Sequence, residues 1–237
     1  MIDTLMVHSV SGNTRNNAAK LAHNSIQGHH HSAFEIAYHA DMQQLRWSMS
    51  VGCLLDLKSP AARYGASRVF TRPVLGCGVI VSDSKPNTLV ISDMHIPYHH
   101  RDSFAFLWKV KKAFNCTNYL NVGDILDHHA GSFHESEPDA LSPEDEYYAA
   151  QKYGRELQAM FPNMIISEGN HDKIPKRKLK TAGLPASMVG DYNALYGFKD
   201  SWQWLDEYRF DSGCGKPVLV PMALSKRGRW DGKVSAR

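Results

Sequence analysis

Cysteine is scarce: four occur in 237 residues, no two in C-x-x-C spacing, which argues against a disulfide scaffold and against a zinc ribbon. Of Cys53, Cys77, Cys116 and Cys214, three lie in or next to apolar strand-like runs, so buried free thiols are expected. Long apolar runs are missing too. Nothing approaches the roughly eighteen residues of a membrane span, and the start has no charged n-region followed by an apolar h-region. The expectation is a cytoplasmic chain without membrane association. Excess charge is absent as well, since Lys+Arg 27 against Asp+Glu 24 leave a net charge of +3, too little for a general affinity for polyanions. No RNA- or DNA-binding motif occurs. The bulk composition, 43% hydrophobic and 22% charged, is that of a soluble globular chain.

Histidine is the exception, at thirteen, and eight of these (His29, His30, His31, His95, His99, His100, His128 and His129) stand beside short motifs rich in metal-ligand types. In TLVISDMHIPY the run Thr88 to Ile91 is short, apolar and β-branched, as a buried strand is. It stops at Ser92 and delivers Asp93 and His95, a carboxylate and an imidazole suited to one hard cation. NYLNVGDILDHH repeats the plan with Asp124 after Leu120 to Val122. NMIISEGNHDK repeats it with Asn170, His171 and Asp172 after Met164 to Ser167. Between these strands, Phe104, Leu107, Val110 and Phe114 recur at helical spacing over Ser103 to Phe114. A second helix over Ser142 to Phe161 has Ser142 as N-cap, Pro143 at its first position and Asp145 three residues after the cap. Its buried stripe reads Tyr147, Ala150, Tyr153, Leu157 and Met160. Strand–helix alternation of this kind makes the strands parallel, with sites beyond their C-terminal ends, so the three clusters are expected on one edge of one sheet.

The N-terminal block is richer in strands. Thr4 to Val7 reads as a strand with His8 opening the loop beyond it, and Asn13 to His23 as a short helix with Ala18, Leu21 and Ala22 inward. Ser25 to Gln27 leads into Gly28, where the backbone can turn tightly. His29 and His31 share one side of an extended segment while His30 faces elsewhere. Ala33 to Tyr38, Leu45 to Leu55 and Val74 to Val81 are further strands, so a second sheet packed on the first is expected. The stretch SDSKPN, Ser82 to Asn87, reads as a linker between the blocks. Downstream, SWQWLDEYRF reads as one strand with Trp202 and Trp204 in the core, and Asp191 to Tyr196 as a short helix. KIPKRKLK is a solvated helix face or a phosphate-attracting rim. The basic ending SKRGRWDGKVSAR reads as partly disordered.

Asp-x-His, Gly-Asp-x-x-Asp and Gly-Asn-His-Asp, in that order and each after a strand, resemble the calcineurin-like metallophosphoesterase superfamily. Its other two elements, a lone His after a strand and Gly-His-x-His, are present as His8 and as Gly28, His29 and His31. Relatives carry those two after Gly-Asn-His-Asp, so the resemblance is to a phage-type member with its segments in a changed order. Gly-Cys-Gly occurs at Gly76 to Gly78 and Gly213 to Gly215, near where the joins would fall. The resemblance implies an α/β/β/α sandwich of two mixed sheets. One domain over residues 1–237 is expected, made of a 1–81 block, an 88–211 block, and a closing strand and basic tail over 216–237.

The resemblance also implies a site. Two divalent ions, manganese favoured over iron, zinc or nickel, would acidify a shared water and clamp a phosphate ester for in-line attack. Asp124 would bridge them, Asp93, His95 and His31 completing one ion and Asn170, His8 and His29 the other. His171 would act as general acid with Asp172 orienting its ring, and Asp127 would be a supporting residue. His99, His100, His128 and His129 are candidates to line the cleft, or structural residues. The substrate would be a phosphomonoester or phosphodiester, with nucleotides, nucleic-acid ends and an oligomeric assembly left open. A catalytically silent metal-binding scaffold or nucleic-acid-binding module is the second reading, disfavoured because every ligand type is present.

Overall fold

The computed structural model describes residues 3–8, 13–66, 72–132, 137–213 and 215–236. Its first sheet is built on four parallel strands, β6 (Thr88–Ile91), β7 (Asn118–Asn121), β8 (Met164–Ser167) and β9 (Gln203–Leu205). Two antiparallel strands, β5 (Gly76–Val81) and β11 (Lys216–Pro221), extend it in the order β11-β5-β6-β7-β8-β9. The second sheet runs β10-β1-β2-β4-β3. In it β1 (Asp3–Val7), β2 (Asn24–Gln27) and β4 (Leu45–Val51) are parallel, while β3 (Phe34–Ala40) and β10 (Glu207–Asp211) are antiparallel edges.

Alternation along the strands fills two cores. Val90, Leu120 and Val122 face the second sheet and meet Met6, Ile26, Trp47 and Met49. Leu89, Ile91, Tyr119 and Ile166 point the other way, onto Phe106, Leu107 and Val110 of α3 (Ser103–Ala113) and Ala150 and Leu157 of α4 (Pro143–Met160). Both faces of β6 are covered, and all four of its residues are buried. The start of α4 is as expected, Ser142 accepting from the Asp145 N–H. Its buried stripe differs, running through Glu146, Ala150, Gly154, Leu157 and Gln158 while Tyr147, Tyr153 and Met160 are half-buried. In α3, Phe106 takes the buried place expected for Phe104.

The outer face of the second sheet is covered by α1 (Thr14–Lys20), through polar groups. Thr14 Oγ1 contacts Ser50 Oγ at 2.8 Å, and Asn17 donates to Gln27 Oε1 at 2.5 Å. Leu21 is half-exposed and Ala22 exposed, because the helix stops at Lys20 and Ala22 turns to φ 55°.

Three further expectations are corrected. SWQWLDEYRF is two strands, β9 and β10, on opposite sheets, with the chain changing sheets at Asp206. The linker Ser82 to Asn87 is at the surface and connects the antiparallel neighbours β5 and β6, so the N-terminal block supplies a strand to the sheet of the second block. The turn Ser212 to Gly215, at the second join, is expected at the surface, but Ser212 and Gly215 are buried, Ser212 Oγ accepting from Thr4 Oγ1 at 2.8 Å. The basic ending is docked, with Trp230 ring-to-ring against Phe106 at 5.5 Å and its backbone N–H on Asp102 Oδ2 at 3.1 Å. Cys53, Cys77 and Cys116 are free and buried, and Cys214 lies outside the described residues.

Candidate metal centre

The parallel strands of both sheets deliver side chains to a common place. Asp93 and His95 follow β6, Asp124 and Asp127 follow β7, and Asn170 and His171 follow β8. From the second sheet, His8 follows β1, and His29 and His31 follow β2. Five non-glycine residues here, His29, Asp93, His95, Asp124 and His128, have φ between 47° and 68°. Left-handed backbone costs roughly 1–3 kcal/mol at each such residue, so the surrounding packing holds these side chains in directions relaxed loops would not choose.

The motif glycines owe their place to close approach. A Cβ on Gly28 would lie 2.1 Å from Ser92 Oγ and 2.7 Å from Asp93 Oδ2. One on Gly169 would lie 2.0 Å from Asp124 Oδ1 and 2.3 Å from its backbone N.

Two clusters result. In one, His31 Nε2 is 3.2 Å from Asp93 Oδ1 and 3.2 Å from His95 Nε2. In the other, His8 Nε2 is 3.0 Å from Asp124 Oδ2 and 3.1 Å from Asn170 Oδ1, with the His29 ring 5.2 Å from that of His8. Asp124 Oδ2 is 4.0 Å from His95 Nε2 and so lies between the two. Separations near 3 Å are the edges of a coordination polyhedron with bonds of about 2.1 Å.

The ring tautomers agree with ligation. His8 Nδ1 donates to Val122 O at 2.6 Å and His95 Nδ1 to Asp127 Oδ1 at 2.5 Å. With Nδ1 committed in this way, each ring points Nε2 into the site, toward carboxylate oxygens or another imidazole nitrogen, where the deprotonated atom can ligate a metal. The residues present fit a cation in either cluster.

Charge points the same way. Burial disfavours the ionised forms of all these groups, yet the facing Asp124 carboxylate raises His8 to about 10. Against the same burial, His8 holds Asp124 well below the usual carboxylate range. The carboxylates that raise His8, Asp124 first and then Asp93, would attract a cation at the same place.

His171 is placed by Asp127. Its Nδ1 donates to Asp127 O at 2.8 Å with Asp127 Oδ1 at 3.1 Å, and its N–H donates to Asp124 Oδ1 at 2.7 Å. Burial would lower its pKa, but these carboxylates raise it to about 10. The orienting role expected of Asp172 is corrected here. Asp172 is fully buried and accepts from Leu126 N at 2.9 Å and Gly169 N at 2.8 Å, clamping the loops after β7 and β8. Burial, with Asp124 nearby, raises it to about 7.

Of the four further histidines, His128 lines a pocket with Leu126, Glu146, Tyr147 and Tyr196, and all four are held by neighbouring groups. His99 stacks on Phe104 at 4.7 Å, and burial lowers it to about 4. His100 Nδ1 accepts from Asp102 N at 3.2 Å. His128 Nδ1 donates to His171 O at 2.9 Å while its Nε2 takes the Tyr196 hydroxyl at 2.6 Å. His129 is buried with Nδ1 3.8 Å from Asp127 Oδ2. The basic run, largely in α5 (Ile174–Thr181), is partly neutralised, Lys173 pairing with Asp206 and Lys176 with Glu168, each at 2.7 Å. Sequence patterns gave no sign of Glu146, whose buried carboxylate accepts from His129 N at 2.6 Å and Ala130 N at 2.8 Å.

The sequence model of the calcineurin-like phosphoesterase family matches residues 86–228, more than half of the chain. Comparison with curated proteins and with solved structures returned no match. The matched range holds Asp93, His95, Asp124, Asn170 and His171, while His8, His29 and His31 precede it and reach the same centre through the second sheet. On that match, and with His/Asp groups able to hold a metal at its strand ends, the chain belongs to the calcineurin-like phosphoesterases, metal-dependent hydrolases of phosphate esters.

Proposed function

We propose that the chain hydrolyses a phosphomonoester or phosphodiester at a centre for two divalent ions, with manganese the preferred metal. The observation that carries this reading is the pair of clusters, His31–Asp93–His95 and His8–His29–Asp124, with Asp124 between them. Asp93, His95 and His31 would hold one ion and Asn170, His8 and His29 the other, Asp124 using one carboxylate for both. When bound, such a pair supplies a nucleophile at neutral pH and neutralises charge on the phosphoryl oxygens.

The chain's own groups do the rest. Asp127 fixes the His95 ring with Nε2 inward and holds the His171 ring through Nδ1. That leaves His171 Nε2–H to donate its proton to the leaving-group oxygen as the P–O bond breaks. Asp127 stabilises the imidazolium before transfer, the part first expected of Asp172. Asp172 contributes by keeping the loops after β7 and β8 at a fixed spacing.

The test is metal content together with turnover of bis(p-nitrophenyl) phosphate and p-nitrophenyl phosphate, with and without chelator. Turnover in step with metal content is expected. Stoichiometric metal without turnover of any phosphate ester would replace the enzyme with a silent metal-binding scaffold.

A further inference from the structure

We propose that the outer face of α3, with the C-terminal segment docked on it, binds single-stranded nucleic acid. The two stretches concentrate charge. Residues 101–112 carry Arg101, Lys109, Lys111 and Lys112 against Asp102, and residues 224–236 carry Lys226, Arg227, Arg229 and Lys233 against Asp231. Four cations against one acid in each make +6, where the whole chain has +3, so the remainder is net acidic at −3.

The fold brings the two together. Trp230 packs on Phe106 and donates its backbone N–H to Asp102, and Lys109 donates to Gly232 O at 2.8 Å with its ammonium 5.2 Å from the Trp230 ring. Beside this seam Trp108 is 42% exposed, unusual for an indole on a helix with a packed opposite face. The ammoniums of Lys111 and Lys112 lie 5.1 and 4.9 Å from its ring. Lys111 is tethered through Met160 O at 2.8 Å, whereas Lys112 is at the surface and can swing from the ring to a phosphate.

An exposed indole with two ammoniums over its ring, that of Lys112 free to move aside, and flanked by a basic strip offers a stacking face and phosphate contacts side by side. That pairing suits a polyanion with unstacked planar bases. A duplex hides its base faces, and an acidic peptide or an anionic membrane has none to stack. The surface needs neither metal nor turnover, so its test is independent of the catalytic reading.

The full chain, in EDTA, is titrated into a fluorescein-labelled single-stranded oligothymidylate of twenty nucleotides, followed by anisotropy. With about four phosphate contacts, affinity should fall roughly 50-fold between 50 and 200 mM salt, a log–log slope near −3. Trp108→Ala should weaken binding about 5- to 150-fold with the slope kept. Lys112→Ala/Arg229→Ala should flatten the slope by about 1.4. Both variants should keep the wild-type thermal transition. No binding at 50 mM salt, or variants that bind like the wild type, would overturn the proposal. Equal affinity for a duplex of the same length, for polyglutamate or for phosphatidylserine vesicles would overturn the assignment to single strands.

Discussion

An alanine at position 169 adds one methyl group where none fits. Gly169 has no positive φ, so the change tests contact and not backbone freedom. The added Cβ would stand 2.0 Å from Asp124 Oδ1 and 2.3 Å from Asp124 N, and ordinary contact begins at 3.4 Å. Backbone and carboxylate must therefore separate by more than about 1 Å, and a displacement of that size at a reacting centre costs on the order of 10²-fold in rate. Because Asp124 Oδ1 also accepts the His171 N–H at 2.7 Å, the proposed general acid would move with the proposed bridging carboxylate. Overpacking of this kind destabilises by roughly 1–3 kcal/mol, within what a domain of this size tolerates. The assay is manganese content after gel filtration, turnover of bis(p-nitrophenyl) phosphate, and a urea transition on the same preparation. Gly131→Ala is the matched control, its Cβ meeting only Ile174 Cγ2 at 3.3 Å. Gly169→Ala is expected to fold, to bind less metal and to lose about 10²-fold in turnover, while Gly131→Ala stays near wild type. Full metal content with turnover within about twofold of wild type would refute the claim that Asp124 is the shared ligand held by that close approach.

Asp124→Asn should lower metal content and abolish hydrolysis without unfolding the chain, and two bound metals with near-normal turnover would defeat the assignment. His171→Ala should keep its metals, losing about 10²- to 10⁴-fold on alkyl or nucleoside esters and much less on a nitrophenyl ester, whereas His29→Ala should lose metal and fail on both. Metal uptake at pH 7 should release protons, because His8 is raised to about 10 and must give up its Nε2 proton to ligate; titration calorimetry in buffers of different ionisation enthalpy counts them. Glu146 is raised by burial to about 7 in the fold from an ordinary 4.5, so its share of stability is present below pH 4.5 and fades as pH rises through 7, an effect of about 3 kcal/mol. Urea transitions of Glu146→Gln between pH 4.5 and 8 should show a correspondingly flatter profile than wild type.

The sequence by itself determined the parts that depend on near neighbours. The short, mostly apolar run at Thr88–Ile91, rich in β-branched residues, reads as a covered strand with the next residues on the loop beyond it, and the same reading put Asp93, His95, Asp124, Asn170 and His171 at strand ends. The start of α4 was legible because Ser142, Pro143 and Asp145 satisfy the first turn among themselves. Tertiary structure decided the features that depend on side-chain direction and on distant partners. His171 and Asp172 are adjacent, yet the backbone sends the Asp172 carboxylate to the Leu126 and Gly169 amides, and the ring finds Asp127 from another loop. His8, His29 and His31 precede every matched residue, and only the packing of two sheets through Val90, Leu120, Met6 and Ile26 sets them against Asp93 and Asp124. SWQWLDEYRF has the composition of one strand, and its division at Asp206 arises because two sheets each have an edge open there. The polar seat of α1 and the docking of Trp230 were illegible for the same reason: neither shows a period along the chain, since each is satisfied by residues far away in sequence.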